Sequence, residues 1–248
     1  MVRVSYARRI LRVVVLLACC GCVLSGGFGA ANAAGMAALT VTVSGIKPGG
    51  VIPGSFAYCV PAKQGHVAPG PNKSPAIKWS KGPAGTASYA ISMVDPDAPT
   101  VFDTANKEGQ IIPADLKRRD FHHWILVDIA SSVTGLPEGA ESTGHGGKPV
   151  GPTKYGLRGA NDIGGFGRPG TKGPTGGYDG PCPPWNDAIP HHYHFGVYAL
   201  NVRSLGLSSG FTVPDALRAM KGHVLAKGEW VGVYTQNPDV AKTLGIKF

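Results

Sequence analysis

Ala87-Ser88-Tyr89-Ala90-Ile91-Ser92-Met93-Val94, running straight into Asp95-Pro96-Asp97-Ala98-Pro99, is the stretch on which the fold turns. Tyr89, Ile91 and Met93 recur with the two-residue period of a strand that turns one face to a core. The prolines that follow lack a backbone N–H and fix φ, so the strand is expected to stop at Asp95 and give way to a loop. Upstream, Leu39, Val41 and Val43 alternate with Thr40, Thr42 and Ser44 before the turn Lys47-Pro48-Gly49-Gly50. Phe56 to Val60 fits a short strand, and Gln64 to Ser74 reads as an exposed loop. Downstream, Phe121 to Ala130 and His194 to Leu200 are apolar runs of strand length, and Trp230, Gly232 and Tyr234 suit a short final strand. Helical signals are confined to Thr212-Val213-Pro214-Asp215, a capping pattern followed by Leu217, Met220, Lys221 and Val224 at helical spacing, with Gly222 as a weak point. With 37 glycines and 21 prolines in 248 residues, much of the remaining chain belongs in turns. No linker separates two cores, so residues 34–248 are expected to form a single, mainly β domain.

The first residues need separate treatment. Arg3, Arg8, Arg9 and Arg12 precede the apolar run Val13 to Leu24 and the Ala31-Asn32-Ala33 triplet, the pattern of an export signal cleaved after Ala33. The apolar run is short for a membrane span. The formal charge of +9 falls to +5 without that segment, from 20 basic and 15 acidic residues. A mild, dispersed positive charge suits small anions or anionic surfaces, and no dense basic stripe with interleaved aromatics argues for specific nucleic-acid binding. Only Cys59 and Cys182 remain after cleavage; export would permit a disulfide between them, and two free thiols are the alternative.

Chemistry-bearing residues gather at the ends of these strands. Asp95 and Asp97 present two carboxylates, able to orient a histidine, contact a cationic group or fasten the turn. His122 and His123 sit on opposite faces of a strand, and His123, sharing a face with Phe121, is the better pocket candidate. Tyr178, within Gly177-Tyr178-Asp179-Gly180-Pro181-Cys182-Pro183-Pro184, offers a hydroxyl to an anionic oxygen. His191 and Tyr193 share one side if the strand has begun by then, with His192 on the other. No HExxH, paired CxxC, GxSxG, Walker or GxGxxG pattern is present, so no metal, cofactor or nucleophile elbow is expected.

Taken in order, Ser74-Pro75, Trp79, Asp95-Pro96-Asp97-Ala98-Pro99, His123-Trp124, Asn161-Asp162, Tyr178 to Pro184 and His191-His192-Tyr193 resemble the phosphatidylethanolamine-binding protein family, in its bacterial Raf-kinase-inhibitor-like branch. The resemblance spans Leu39 to Tyr234. It implies a large central antiparallel sheet, a smaller sheet, peripheral helices and a pocket for phosphate-like anions. Carried onto this chain, it assigns ligand contacts to Asp95, Asp97, His123, Tyr178 and His191. Ser74, Pro75, Phe121, Gly180, Pro181, His192 and Tyr193 become supports. Two stretches, near 100–120 and 144–177, look expanded relative to that pattern. The expected function is reversible binding of a small anionic or phosphate-bearing ligand, phospholipid headgroups included. Weak ester hydrolysis from His123 or His191, and a secreted interaction or inhibitory module, are the alternatives. A transient membrane-surface or protein partner and a homodimer are both compatible with the sequence.

Overall fold

The computed structural model describes residues 37–165 and 174–246. The expected leader, its cleavage site and its three cysteines therefore lie outside the described residues. The chain opens with β1 (Ala37–Ala38) and β2 (Val41–Val43), then pairs β3 (Cys59–Pro61) with β4 (Val67–Pro69). β5 (Ile77–Trp79) leads to the two longest strands, β6 (Ser88–Pro99) and β7 (Arg118–Ala130), and β8 (Gly135–Leu136) follows. Four two-residue strands come next: β9 (Lys148–Pro149), β10 (Gly151–Pro152), β11 (Leu157–Arg158) and β12 (Thr175–Gly176), with α1 (Asp162–Gly165) before the last. β13 (His191–Leu200), α2 (Val213–Met220), β14 (Val224–Tyr234) and α3 (Pro238–Thr243) complete the order. Among the described residues no helix is long and apolar enough to cross a membrane.

The large sheet runs β1-β14-β13-β6-β7-β11-β10, antiparallel except for the parallel pair β1 and β14 at one edge. β2, β5 and β8 form the smaller sheet. Alternation along the central strands sorts side chains into two cores. Tyr89, Ile91, Met93, Trp124, Leu126, Tyr193, Phe195 and Val197 pack toward the smaller sheet, together with Val41, Val43, Ile77 and Trp79. Ala90, Ile125, Val127 and Leu200 face the other way and are covered by Phe211, Val213, Ala216 and Met220. This is the arrangement that a two-residue period dictates when both faces of a sheet are buried.

Several boundaries differ from the sequence reading, each for a tertiary reason. β6 continues through Pro96 to Pro99. Its partner β13 pairs with it only as far as His194 opposite Val94, so beyond that point β6 is bonded on one side only, where prolines are tolerated. β13 begins at His191 rather than His194, supported by β14 alone over its first three residues. β14 starts at Val224, well ahead of Trp230. The capping box of Thr212 and Asp215 forms as expected, but α2 ends at Met220. Gly222 then takes φ +83°, which turns the chain and puts Val224 in a strand; Leu217 is left 42% exposed. Phe56 closes a 3-10 turn instead of opening a strand, and the 64–74 stretch contains β4 and the buried Asn72 and Ser74. Cys59 and Cys182 are joined in a disulfide.

Candidate functional site

Where β6 and β13 part, a cavity of about 210 Å³ opens. A bulge in the β6–β7 pairing between Asp95 and Ala98 shifts the alternation, so that Asp95, Ala98 and Pro99 all reach the same cavity. His123 and Phe121 come from β7, and His191 and Tyr193 from the start of β13. Cys182, Pro183 and Pro184 form the opposing wall, with Tyr58 beside them. Phe102 and Asn106, from the 100–112 loop, and Ile163 of α1 close the remaining side.

His123 is buried, and its Nδ1 lies 2.8 Å from the Asp179 carbonyl. A carbonyl oxygen only accepts, so Nδ1 carries the proton and the tautomer is fixed. Burial holds this imidazole below its usual range, outweighing the opposite pull of Asp95 and of the bond to Asp179. The ring is therefore neutral at neutral pH, with a lone pair on Nε2.

His191 is the reverse case. Its Nδ1 lies 2.7 Å from Asp95 Oδ2 and its Nε2 3.1 Å from Asp187 Oδ2. Two carboxylate acceptors require two N–H donors, so the ring is an imidazolium. Burial opposes that charge, but the bonds to Asp187 and Asp95 prevail and raise the group to about 9. Asp187 in turn accepts two bonds from Arg118, at 2.6 and 2.9 Å. Those partners hold its carboxyl below the ordinary range in spite of burial. Arg118, Asp187, His191 and Asp95 thus form a buried file of alternating charge that ends at the cavity.

The sign of this linkage gives a first prediction. A histidine raised in the folded state contributes stability that is complete below its unfolded value of about 6.5 and is lost as pH rises through about 9. The urea midpoint is expected to fall across that window, and His191→Gln to flatten the fall. On the acid side His123 acts oppositely, because its lowered value removes stability as pH drops below 6.5. A midpoint that stays level between pH 6.5 and 9 would contradict the imidazolium assignment.

Tyr193 lines the same cavity, with its ring 5.2 Å from that of His123. Burial, reinforced by Asp95, pushes its hydroxyl far above the usual phenol range, so it stays protonated and can donate. Among the described residues that buried hydroxyl has no hydrogen-bond partner.

Of the expected ligand contacts, Asp95, His123 and His191 meet at the cavity, and Tyr178 and Asp97 do not. The Tyr178 hydroxyl donates to the Phe56 carbonyl at 2.8 Å, and its ring packs edge-on against Trp124 in the core. The expected donor to an anion is therefore already engaged. Asp97 turns outward, where Oδ2 accepts from the His192 backbone N–H at 2.8 Å and contacts the His192 ring at 2.7 Å. A side chain replaces the missing rung between the parted strands, and His192 is its exposed partner.

The expected supports divide in the same way. Phe121 and Tyr193 line the cavity. Ser74 and Pro75 are buried away from it, Ser74 accepting from the Glu141 N–H and bonding to the 139–142 turn. Gly180 sits where a Cβ would fall 1.8 Å from the Phe56 carbonyl, so only glycine fits. Pro181 accepts from the N–H groups of Tyr58 and Cys59 through its carbonyl. Arg118, Asp187, Tyr58 and Phe102 escaped the sequence reading. Asp187 carried a faint signal, four residues ahead of His191, whereas Arg118 joins the file only because β7 lies beside the 184–190 segment.

The family profile described as phosphatidylethanolamine-binding protein matches residues 42–235. A UPF0098 protein of Pyrococcus horikoshii is 34% identical over 175 residues, covering 71% of this chain and 70% of that protein. The UPF0098 protein YbcL of Escherichia coli is 33% identical over 201 residues, covering 80% and 88%. The crystal structure of E. coli YbcL, described as a new member of the mammalian PEBP family, aligns with a TM-score of 0.58 at 29% identity, over 80% of this chain and 99% of that one. A putative phosphatidylethanolamine-binding protein homolog from Chlamydia trachomatis aligns with a TM-score of 0.54 at 26% identity, over 79% and 97%.

Proposed function

Because this chain belongs to the phosphatidylethanolamine-binding protein family, we propose that it is an exported protein that reversibly binds a small phosphate-bearing anion in the cavity at Asp95, His123, His191 and Tyr193. The reading is carried by the convergence of Asp95, His123 and His191 on one cavity that Tyr193 also lines, the Tyr193 hydroxyl being buried with no protein partner among the described residues. Buried polar groups left unbonded are rare, and a donor of this kind suits an oxygen brought by a guest. Beside it, the Nε2 lone pair of neutral His123 suits the P–OH of a singly protonated phosphate. That match spares the guest a full double negative charge next to Asp95. The size agrees with a headgroup or free phosphoester, since about 210 Å³ is below the roughly 300–1,000 Å³ of pockets that enclose drug-sized molecules. Residues 1–33 and the Cys59–Cys182 bond support export.

Hydrolysis with His191 as base has no support in this geometry, because both ring nitrogens already donate to carboxylates. Calorimetry with inorganic phosphate, compared between the wild type and Tyr193→Phe, tests the binding reading. The substitution is expected to weaken phosphate binding about tenfold or more, the scale of a hydrogen bond to a charged group. It should leave the ligand-free protein equally stable or up to about 1 kcal/mol more stable, since an unbonded buried hydroxyl is removed. Equal phosphate affinity in the two proteins would sink the assignment. Vesicles carrying phosphatidylethanolamine, run beside soluble phosphoethanolamine, separate a membrane source of the headgroup from a free one.

A further inference from the structure

The 100–112 stretch supplies part of the cavity wall through Phe102 and Asn106. We infer that this wall makes the site select phosphomonoesters bearing a compact apolar group over both bare phosphate and zwitterionic phosphoethanolamine. The inference rests on the phosphate-binding reading above and specifies its ligand class.

Beside Asp95, His123, His191 and Tyr193, the cavity is lined by Ala98, Pro99, Phe102, Phe121 and Ile163, with Asn106 the polar residue among them. Those five side chains are carbon only, so the organic end of a phosphoester seated against them meets an apolar surface.

The wall is held in place from behind. The buried Asn186 side chain donates to the carbonyls of Thr104 and Gln110, at 2.7 and 3.0 Å, and accepts from the Asn106 N–H at 2.9 Å. Asn106 completes the tie by accepting from the Trp185 N–H at 3.1 Å. Ile112, fully buried, exchanges backbone bonds of 3.0 Å with Asn186 and Ala188. A wall fixed before the guest arrives loses little conformational freedom on binding.

The charges near the cavity disfavour an ammonium. Asp95 Oδ1 accepts from the Asp97 N–H at 2.8 Å and Oδ2 from His191 at 2.7 Å. Asp97 is engaged by His192 and turned away. Asp95 is charge-balanced by the His191 imidazolium and Asp97 is bonded to His192, which weakens the pull of both on a cationic headgroup. The exposed Arg119 carries its guanidinium 5.7 Å from the Phe102 ring centre and 5.8 Å from that of Phe121, with Asp162 within its electrostatic reach. An ammonium leaving the cavity along these rings would meet a like charge, whereas a phenyl or short alkyl group would meet carbon.

Calorimetry at neutral pH with inorganic phosphate, phosphoethanolamine and phenyl phosphate tests the inference on the wild type, Phe102→Ala and Phe102→Leu. Phenyl phosphate is expected to bind about tenfold more tightly than phosphate, as one partly buried ring allows, and phosphoethanolamine no more tightly than phosphate. Phe102→Ala should weaken phenyl phosphate binding far more than phosphate binding and so erase the phenyl preference, and Phe102→Leu should restore part of it. Phe102 is 41% exposed and lies outside the polar end, so the fold is expected to survive both changes. Phenyl phosphate binding no better than phosphate, tightest binding of phosphoethanolamine, or a preference that survives Phe102→Ala would each overturn the selective wall and leave phosphate binding intact. No binding of any of the three would overturn the phosphate reading, and the wall with it.

Discussion

Asp187→Ala is expected to destabilise the protein by about 3–5 kcal/mol, the range for breaking a buried ion pair from one side. Asp187 is 1% exposed and is the single carboxylate shared by Arg118 and His191. Its loss leaves a guanidinium, itself only 13% exposed, facing an imidazolium with no anion between them. His191 would respond by releasing its proton, so its imidazole titration, followed by NMR, should fall from about 9 toward or below the ordinary histidine value. Both effects belong to one interaction and are not additive. Asp187→Asn keeps the volume and one acceptor and should cost less. Urea denaturation followed by tryptophan fluorescence gives the stability. A loss below about 1 kcal/mol for the alanine variant, with His191 still titrating high, would mean that Asp95 alone sustains the charge.

The second large effect is expected at the Cys59–Cys182 disulfide, which closes a separation of 123 residues. Replacing both cysteines by serine is expected to cost about 2–5 kcal/mol, since long closed loops restrict the unfolded chain most. The same bond has a local role, because Cys182 lines the cavity and Pro183 and Pro184 follow it. Without the bond that wall is still tied by the N–H groups of Tyr58 and Cys59 on the Pro181 carbonyl and by Gln236 on the Pro183 carbonyl at 2.6 Å. Phosphate affinity should therefore drop several-fold and not vanish. Wild-type protein in dithiothreitol, with reduction verified by mass, should match the double variant. Unchanged urea midpoints in both would show that non-covalent ties alone secure this wall.

How far the sequence could be read depended on the range of the interactions concerned. Alternation at Tyr89, Ile91 and Met93 and the pairing of Thr212 with Asp215 are local, and both appear in the structure as their spacing implies. The order of motifs from Ser74 to Tyr193 gave the family and with it the sheet. Side-chain destinations were not legible, since they depend on distant neighbours. Tyr178 looked like a free donor, but Phe56, 122 residues away, accepts its hydrogen bond. Tyr193 looked like a support, yet its buried hydroxyl has no hydrogen-bond partner among the described residues. Pro96 and Pro99 stopped the strand on paper because nothing local announces that β13 leaves β6 over residues 191–193, ahead of His194. Asp187 lies in a stretch with no periodic signal, and its weight comes from Arg118 and His191 converging on it.

The irregular pairing at Asp95–Ala98 also bears on how this family of sites can change over time. In an evenly laddered sheet, adding or removing one residue inverts every side chain beyond it. Here the extra length is already absorbed, so the four residues from Asp95 to Ala98 act as a phase adjuster between the ladder and the mouth of the cavity. Lengthening downstream of Pro99 can remodel what the mouth admits while the file from Arg118 to Asp95 keeps its alignment. Shortening within the four would rotate Ala98 and Pro99 to the opposite surface and abolish the recess outright, so novelty is channelled into the lip and away from the hinge.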